Sequence, residues 1–158
     1  MIKYLVMDVD GTLTDGKIYM GQDGELMKSF NIKDGYGIKD ILPTINVIPV
    51  IITGRTSNIV SNRSKELGIK ELYQGITDKY SELLKIVENE ANLSQVAYIG
   101  DDLNDLDCMN RVKKNGGLIG CPLDAVEQVV AISDFVSQYV GGNGAVREFI
   151  EFIKIRQE

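Results

Sequence analysis

The chain has 158 residues, 44% of them apolar, with 23 acidic and 17 basic side chains, a net charge of −6 and no histidine. That length and apolar share are enough for one globular domain over residues 1–158 that buries a core without disulfides or structural metal. The acidic balance, with no Lys/Arg cluster, excludes ordinary nucleic-acid binding, and without imidazole any chemistry falls to carboxylates, hydroxyls and lysine.

A first strand is predicted at Lys3 to Met7, and Asp8, Val9, Asp10, Gly11 and Thr12 follow it directly. A parallel strand delivers its last residues to the carboxyl edge of an open α/β sheet, where such folds bind ligands. Two carboxylates at that edge predict a metal and phosphate site, and an all-oxygen site selects a hard cation, Mg2+ before others. Lys17 to Met20 and Glu25 to Phe30, around Gly21 to Gly24, read as a β-hairpin that leaves some of Ile18, Met20, Leu26, Met27 and Phe30 uncovered. A two-stranded ribbon is marginal alone. Its apolar face is expected to pack on another subunit or over the site, the plainer alternative being a ribbon folded back on its own core.

A helix at Asp34 to Leu42 and a strand at Val47 to Ile52 come next, and Thr53, Gly54 and Arg55 emerge at the strand's end. The hydroxyl and the small residue suit a phosphate oxygen, although a Thr-Gly pair by itself is more often only a turn. Ser57 to Leu67 reads as a helix stopped by Gly68, and Glu71 to Tyr73 as a strand. Lys79 then opens a helix to Glu90, where its charge opposes the macrodipole. A surface lysine is the plain reading; neutralising a phosphoryl group is the functional one. A strand at Gln95 to Ile99 ends in Gly100, Asp101, Asp102, Leu103, Asn104 and Asp105, an acidic turn that suits either a helix N-cap or a metal shell. A helix at Asp102 to Val112, a strand at Leu118 to Ile119, a helix at Leu123 to Val130, a possible strand at Asp134 to Val136 and a helix at Ala145 to Ile155 complete the chain. The alternation predicts an α/β fold: a Rossmann-like three-layer sandwich with a mainly parallel sheet, and the hairpin as a projection from it. Cys108 and Cys121 show neither CxxC nor zinc spacing and are expected to be reduced. The first apolar run meets Asp8 too early for a signal peptide, and no run approaches the ~20 residues of a membrane span, so the cytoplasm is the expected location.

Taken together, DxDGT, TG, a lysine and GDDxxD at successive strand edges supply a nucleophile, an acid, phosphate donors, a cation and a metal site. In that order they resemble the four motifs of the haloacid dehalogenase superfamily, from Asp8 to Asp105. The resemblance implies that Asp8 attacks phosphorus and that Asp10 protonates the leaving alkoxide and then deprotonates water. It implies that Thr53 and Lys79 hold phosphoryl oxygens, and that Asp8, Asp101 and the Asp10 carbonyl hold Mg2+. The hairpin stands where most members carry a cap domain, which looks like a capless member.

Over nearly its whole length the chain is similar to the 3-deoxy-D-manno-octulosonate 8-phosphate phosphatase family, in DVDGTLTDGKIYM, FNIKDGYGIK, ITGR, LYQG, YIGDDLND and GGNGAVRE. This resemblance implies a homotetramer assembled through the hairpins. It also implies substrate contacts from Asp10, from Asn31, Ile32, Lys33, Asp34 and Gly35, and from Lys39, Thr53, Gly54, Arg55, Arg63 and Lys79. A phosphorylated keto-sugar acid needs cations for its carboxylate as well as its phosphate. Two departures stand out: Lys39 replaces a frequent arginine, and the chain stops soon after Ile155 where many members carry a tail. Relatives that hydrolyse 9-phosphates of nine-carbon sugar acids are the alternative, and Arg55, where those enzymes can carry glutamate, favours the eight-carbon substrate. A non-catalytic phosphatase-like module is the rival from another class, and a lost motif would have supported it.

Overall fold

The computed structural model describes residues 1–158, the side chains of 90 and 91 excepted. The strands are β1 (Tyr4–Met7), β2 (Tyr19–Gly21), β3 (Gly24–Met27), β4 (Ile48–Ile52), β5 (Glu71–Tyr73), β6 (Val96–Ile99), β7 (Leu118–Cys121) and β8 (Phe135–Val136). The α-helices are α1 (Ile32–Tyr36), α2 (Asn58–Leu67), α3 (Lys79–Val87), α4 (Leu103–Lys114), α5 (Glu127–Ile132) and α6 (Ala145–Gln157). Six strands form one parallel sheet in the order β5-β4-β1-β6-β7-β8, and β2 and β3 form a separate antiparallel ribbon.

Period-2 alternation explains why this sheet is covered on both faces. Leu5 and Met7 of β1 point to one side with Ile51, Ala97 and Ile99, against Val146, Phe149, Ile150 and Ile153 of α6. Val6 points to the other side with Val50, Ile52, Val96 and Tyr98, against Leu83 and Val87 of α3 and Met109 and Val112 of α4. The strand order reverses at β1, the position at which doubly wound folds open a crevice at their carboxyl ends. Met7 is in register with Ile51 on one side and Ile99 on the other, so the three strands end level. Among the described residues no helix is long and apolar enough to cross a membrane.

Local chemistry moves several boundaries. α1 begins at Ile32 rather than Asp34, because the Asn31 side chain accepts from the amides of Lys33 (2.8 Å) and Asp34 (3.4 Å) and so caps the helix. The helical path continues as a wide turn over Gly37–Ile41 and a tight one over Leu42–Ile45. Pro43 has no N–H to extend an α ladder, and left-handed Asn46 ends the run. α3 stops at Val87, short of Glu90, where Glu88 turns to a φ of 72°. The helix expected over Leu123 to Val130 spans Glu127–Ile132 instead: the Leu123 amide donates to the Tyr139 carbonyl and the Val126 amide to the Asp101 carbonyl, which holds that stretch as a loop. The hairpin strands are shorter than expected, and Phe30 forms an isolated bridge with Thr14 instead of extending the ribbon. Ile18, Met20, Leu26 and Met27 of the ribbon remain exposed, so it is not folded onto the chain's own core.

Two contacts from the α6 end brace the DxDGT turn and α1. A Cβ on Gly141 would lie 1.9 Å from the Gly11 carbonyl oxygen, and the Gly142 amide donates to the Thr12 carbonyl at 3.0 Å, so only glycine allows this backbone approach. Gly144 starts α6 with no side chain to cap it. Asp34, buried in α1, does so across the fold by accepting from the Arg147 amide at 2.8 Å. Burial pushes the Asp34 carboxyl up from its ordinary range, against the pull of that amide. Asp34→Ala is expected to cost about 1–2 kcal/mol in a denaturant melt, whereas Asp34→Asn, which retains an accepting oxygen, should cost clearly less.

Candidate active site

At the level ends of β1, β4 and β6 lies an open cleft of about 360 Å³ lined by Asp8, Asp10, Gly16, Thr53, Gly54, Arg55, Asp101, Asp102 and Asn104. Asp8 is held in line with β1 by its amide, which donates to the Ile99 carbonyl at 3.1 Å, and it is 4% exposed. Lys79, the first residue of α3, reaches it from a third strand edge. Asp78 caps that helix by accepting from the Ser81 amide, and the Lys79 ammonium donates to Asp8 Oδ1 at 2.8 Å and to Asp105 Oδ1 at 2.7 Å. Lys79 is 3% exposed, so the surface reading of this lysine is excluded. Burial alone would push its ammonium toward neutrality; Asp8 and Asp105 outweigh that and raise its pKa.

Asp105 is a site residue that the sequence reading did not single out. Its Oδ1 also accepts from the Tyr98 hydroxyl at 2.8 Å, and its Oδ2 from the amides of Asp101 (3.1 Å) and Asp102 (3.4 Å). With the Asp102 side chain it completes a capping box on α4. The signal was present in the spacing, an acid three residues after the N-cap, but its bond to Lys79 was not. Thr12 was likewise missed: its hydroxyl donates to Asp101 Oδ1 at 3.0 Å. A further unexpected group is Lys28, past β3, whose Nζ lies 2.5 Å from Asp10 Oδ1.

Oxygens of Asp8, Asp101 and Asp105 lie within 4.8 Å of one another. At an effective dielectric of about 20, two charges that close repel by about 3.5 kcal/mol. Burial first, then the neighbouring carboxylates, push Asp8 up to about 6 and Asp101 up to about 8. Three carboxylates face the single ammonium of Lys79, and Asp105 is already saturated by Lys79, Tyr98 and two amides. Asp8 and Asp101 therefore fit a hard divalent cation that removes the remaining repulsion.

The other residues expected at the site divide. Asp10, Thr53, Gly54 and Arg55 line the cleft with Asp8 and Asp101. Ile32, Gly35, Lys39 and Arg63 line a different depression, of about 180 Å³, that shares no residue with the cleft. Gly35 leaves room there for Arg63, whose guanidinium would lie 2.5 Å from an added Cβ. Lys33 lines a third recess beside Arg147, while Asn31 caps α1 and Asp34 caps α6.

With its parallel sheet and strand-edge carboxylates, the chain has the fold and motifs of the haloacid dehalogenase superfamily. No family model matches the chain. It is 43% identical over 157 residues to the 3-deoxy-D-manno-octulosonate 8-phosphate phosphatase KdsC of Salmonella typhi, covering 99% of this chain and 81% of that one. The Moraxella catarrhalis 3-deoxy-D-manno-octulosonate 8-phosphate phosphatase, solved in complex with magnesium, phosphate and KDO, superposes with a TM-score of 0.87 at 41% identity, over 99% of this chain and 87% of that one. The cobalt-bound Haemophilus influenzae enzyme gives 0.88 at 36% identity, over 99% and 89%. The chain belongs to the 3-deoxy-D-manno-octulosonate 8-phosphate phosphatase family.

The raised carboxyls give the metal assignment a pH signature. Both groups hold protons more tightly folded than at their ordinary 3.8, so the metal-free fold loses stability as pH rises from there through about 6 and about 8. A bound cation offsets a penalty that is fully present only above those values, and it competes with protons below them. In thermal melts, the Tm gain from Mg2+ should therefore be several degrees larger at about pH 8 than at about pH 5. Equal gains would refute binding by Asp8 and Asp101.

Proposed function

We propose that the chain is a Mg2+-dependent phosphatase that hydrolyses 3-deoxy-D-manno-octulosonate 8-phosphate to the sugar acid and inorganic phosphate through an aspartyl-phosphate. The observation that carries this reading is the buried Asp8–Lys79–Asp105 arrangement at the strand edge, in a chain 43% identical to such an enzyme over nearly its full length. Every strand-edge motif is intact, which argues against a non-catalytic module.

In this reading an Asp8 oxygen bonds to phosphorus as the ester oxygen leaves with a proton from Asp10. Asp10 then takes a proton from water, whose oxygen displaces Asp8 and frees phosphate. Lys79 orients Asp8 and offsets negative charge on the phosphoryl group, while Thr53 and Gly54 offer donors to its oxygens from the facing wall. Asp8, Asp101 and the Asp10 carbonyl would hold Mg2+, which would supply neutralisation of the charge that gathers as the phosphoryl group is transferred. Arg55, exposed at the cleft rim, is placed to take the carboxylate or hydroxyls of the sugar acid. It favours the eight-carbon substrate over nine-carbon 9-phosphates.

Residues 1–158 are read as one catalytic unit that works as a homotetramer in the cytoplasm. The exposed apolar ribbon supports assembly, and so does the distance of the family's other substrate contacts from the cleft of the same chain. The segment Asn31 to Gly35, Lys39 and Arg63 would then complete the cleft of a neighbouring copy. Two free, buried cysteines agree with a reducing compartment.

Two measurements test the proposal. Asp8→Asn, which keeps the size of the side chain, should lower turnover by several orders of magnitude with the fold retained by circular dichroism; near-normal turnover would end the aspartyl-phosphate mechanism. Arg55→Ala should reduce kcat/KM for 3-deoxy-D-manno-octulosonate 8-phosphate by about tenfold to several hundredfold, the loss expected of a charge-assisted hydrogen bond, while p-nitrophenyl phosphate changes little. Equal losses on both esters would make Arg55 a catalytic or structural residue instead.

A further inference from the structure

Lys28 follows β3 on a two-stranded ribbon that stands mostly in solvent, yet its side chain is only 3% exposed. Its ammonium donates to Asp10 Oδ1 at 2.5 Å and lies 2.8 Å from Glu25 Oε1. The second Glu25 oxygen accepts from the Ser57 hydroxyl at 2.5 Å. Ser57 is the N-cap of α2 and is held in turn by its own amide, which donates to the Gln74 side chain at 2.8 Å. A line of polar contacts thus runs from the cleft through the ribbon to the end of β5. Burying an ammonium is costly unless it is paired, and Met20, Leu26 and Met27 of the ribbon all stay exposed, so packing of the ribbon gives no reason for a lysine here.

We infer that Lys28 is a positioning residue for Asp10, which acts as the acid in the reaction proposed above. Holding Oδ1 leaves Oδ2 as the oxygen that passes its proton to the ester oxygen while the P–O bond breaks and the Asp8–P bond forms. The ammonium then stabilises the carboxylate that this transfer leaves behind. In the second half-reaction the same oxygen takes a proton from water. Glu25 fixes Lys28 against Ser57, so the ribbon sets the direction in which Asp10 points. The inference rests on the role of Asp10 and is independent of which sugar acid is the substrate.

The test compares turnover of phenyl phosphate, whose leaving group needs protonation, with that of p-nitrophenyl phosphate, whose leaving group needs it far less. Asp10→Asn should lose about 10²–10⁴-fold on phenyl phosphate and much less on the nitro ester. Lys28→Met should show the same split at about tenfold to a hundredfold, and Lys28→Arg should recover most of the phenyl phosphate turnover. Equal losses on the two esters, no loss, or a gain with Lys28→Met would overturn the inference. If Asp10→Asn itself shows no split, the reading of Asp10 as the acid fails; if it does and Lys28→Met does not, only the role of Lys28 fails. Melting curves and native mass are recorded for each variant. Should Lys28→Met not fold, Glu25→Gln carries the comparison, with a smaller split expected and its absence counting against the inference.

Discussion

The structure depends above all on one buried ammonium, that of Lys79, shared between Asp8 and Asp105. Removing one partner of a buried ion pair leaves an uncompensated charge, at a cost of about 3–5 kcal/mol. β1 must therefore end where Asp8 meets this lysine, α3 must begin at Lys79, and α4 must turn Asp105 inward. Tyr98 and two backbone amides complete the coordination of Asp105, so its carboxylate is buried without an empty acceptor. The level ends of the parallel strands are what make these positions compatible.

The acids of the cleft are not equivalent, and the difference is one of pairing. Asp10 faces Lys28, and Asp8 and Asp105 share Lys79. Asp101 accepts from the Thr12 hydroxyl, and burial with the neighbouring carboxylates pushes its carboxyl up to about 8, above the about 6 of Asp8. A site that holds like charges close together stores instability in the metal-free fold, and the same repulsion becomes affinity when a divalent cation arrives. The fold supplies rigid backing for this crowding. Gly141 and Gly142 press backbone to backbone on the DxDGT turn, and Asp34 anchors the start of α6 from α1.

The ribbon of β2 and β3 mixes exposed apolar side chains with charged ones paired toward the site. Ile18, Met20, Leu26 and Met27 are turned to solvent, while Glu25 and Lys28 are turned toward Asp10 and Ser57. Through Lys28, the segment that follows the ribbon reaches Asp10, which lines the cleft.

By itself the sequence determined the parallel α/β plan and the strand-end positions of Asp8, Asp10, Thr53 and Asp101, because each closely follows an apolar run; Lys79, after a polar turn, reads there as readily as a surface lysine. Where it misjudged boundaries, at α1, α3 and α5, the deciding contacts were a cap, a left-handed residue and a loop amide used elsewhere in the fold. Tertiary structure alone decided what those residues touch. Lys79 meets Asp8 across 71 positions and Asp34 meets the Arg147 amide across 113. Asp105 reads in sequence only as the last acid of an acidic turn, Lys28 carries no local mark of a role, and Lys39 and Arg63, which the resemblance puts in contact with substrate, line a depression apart from the cleft. Strand register and helix packing bring such groups together or hold them apart, and neither is written in the residues beside them.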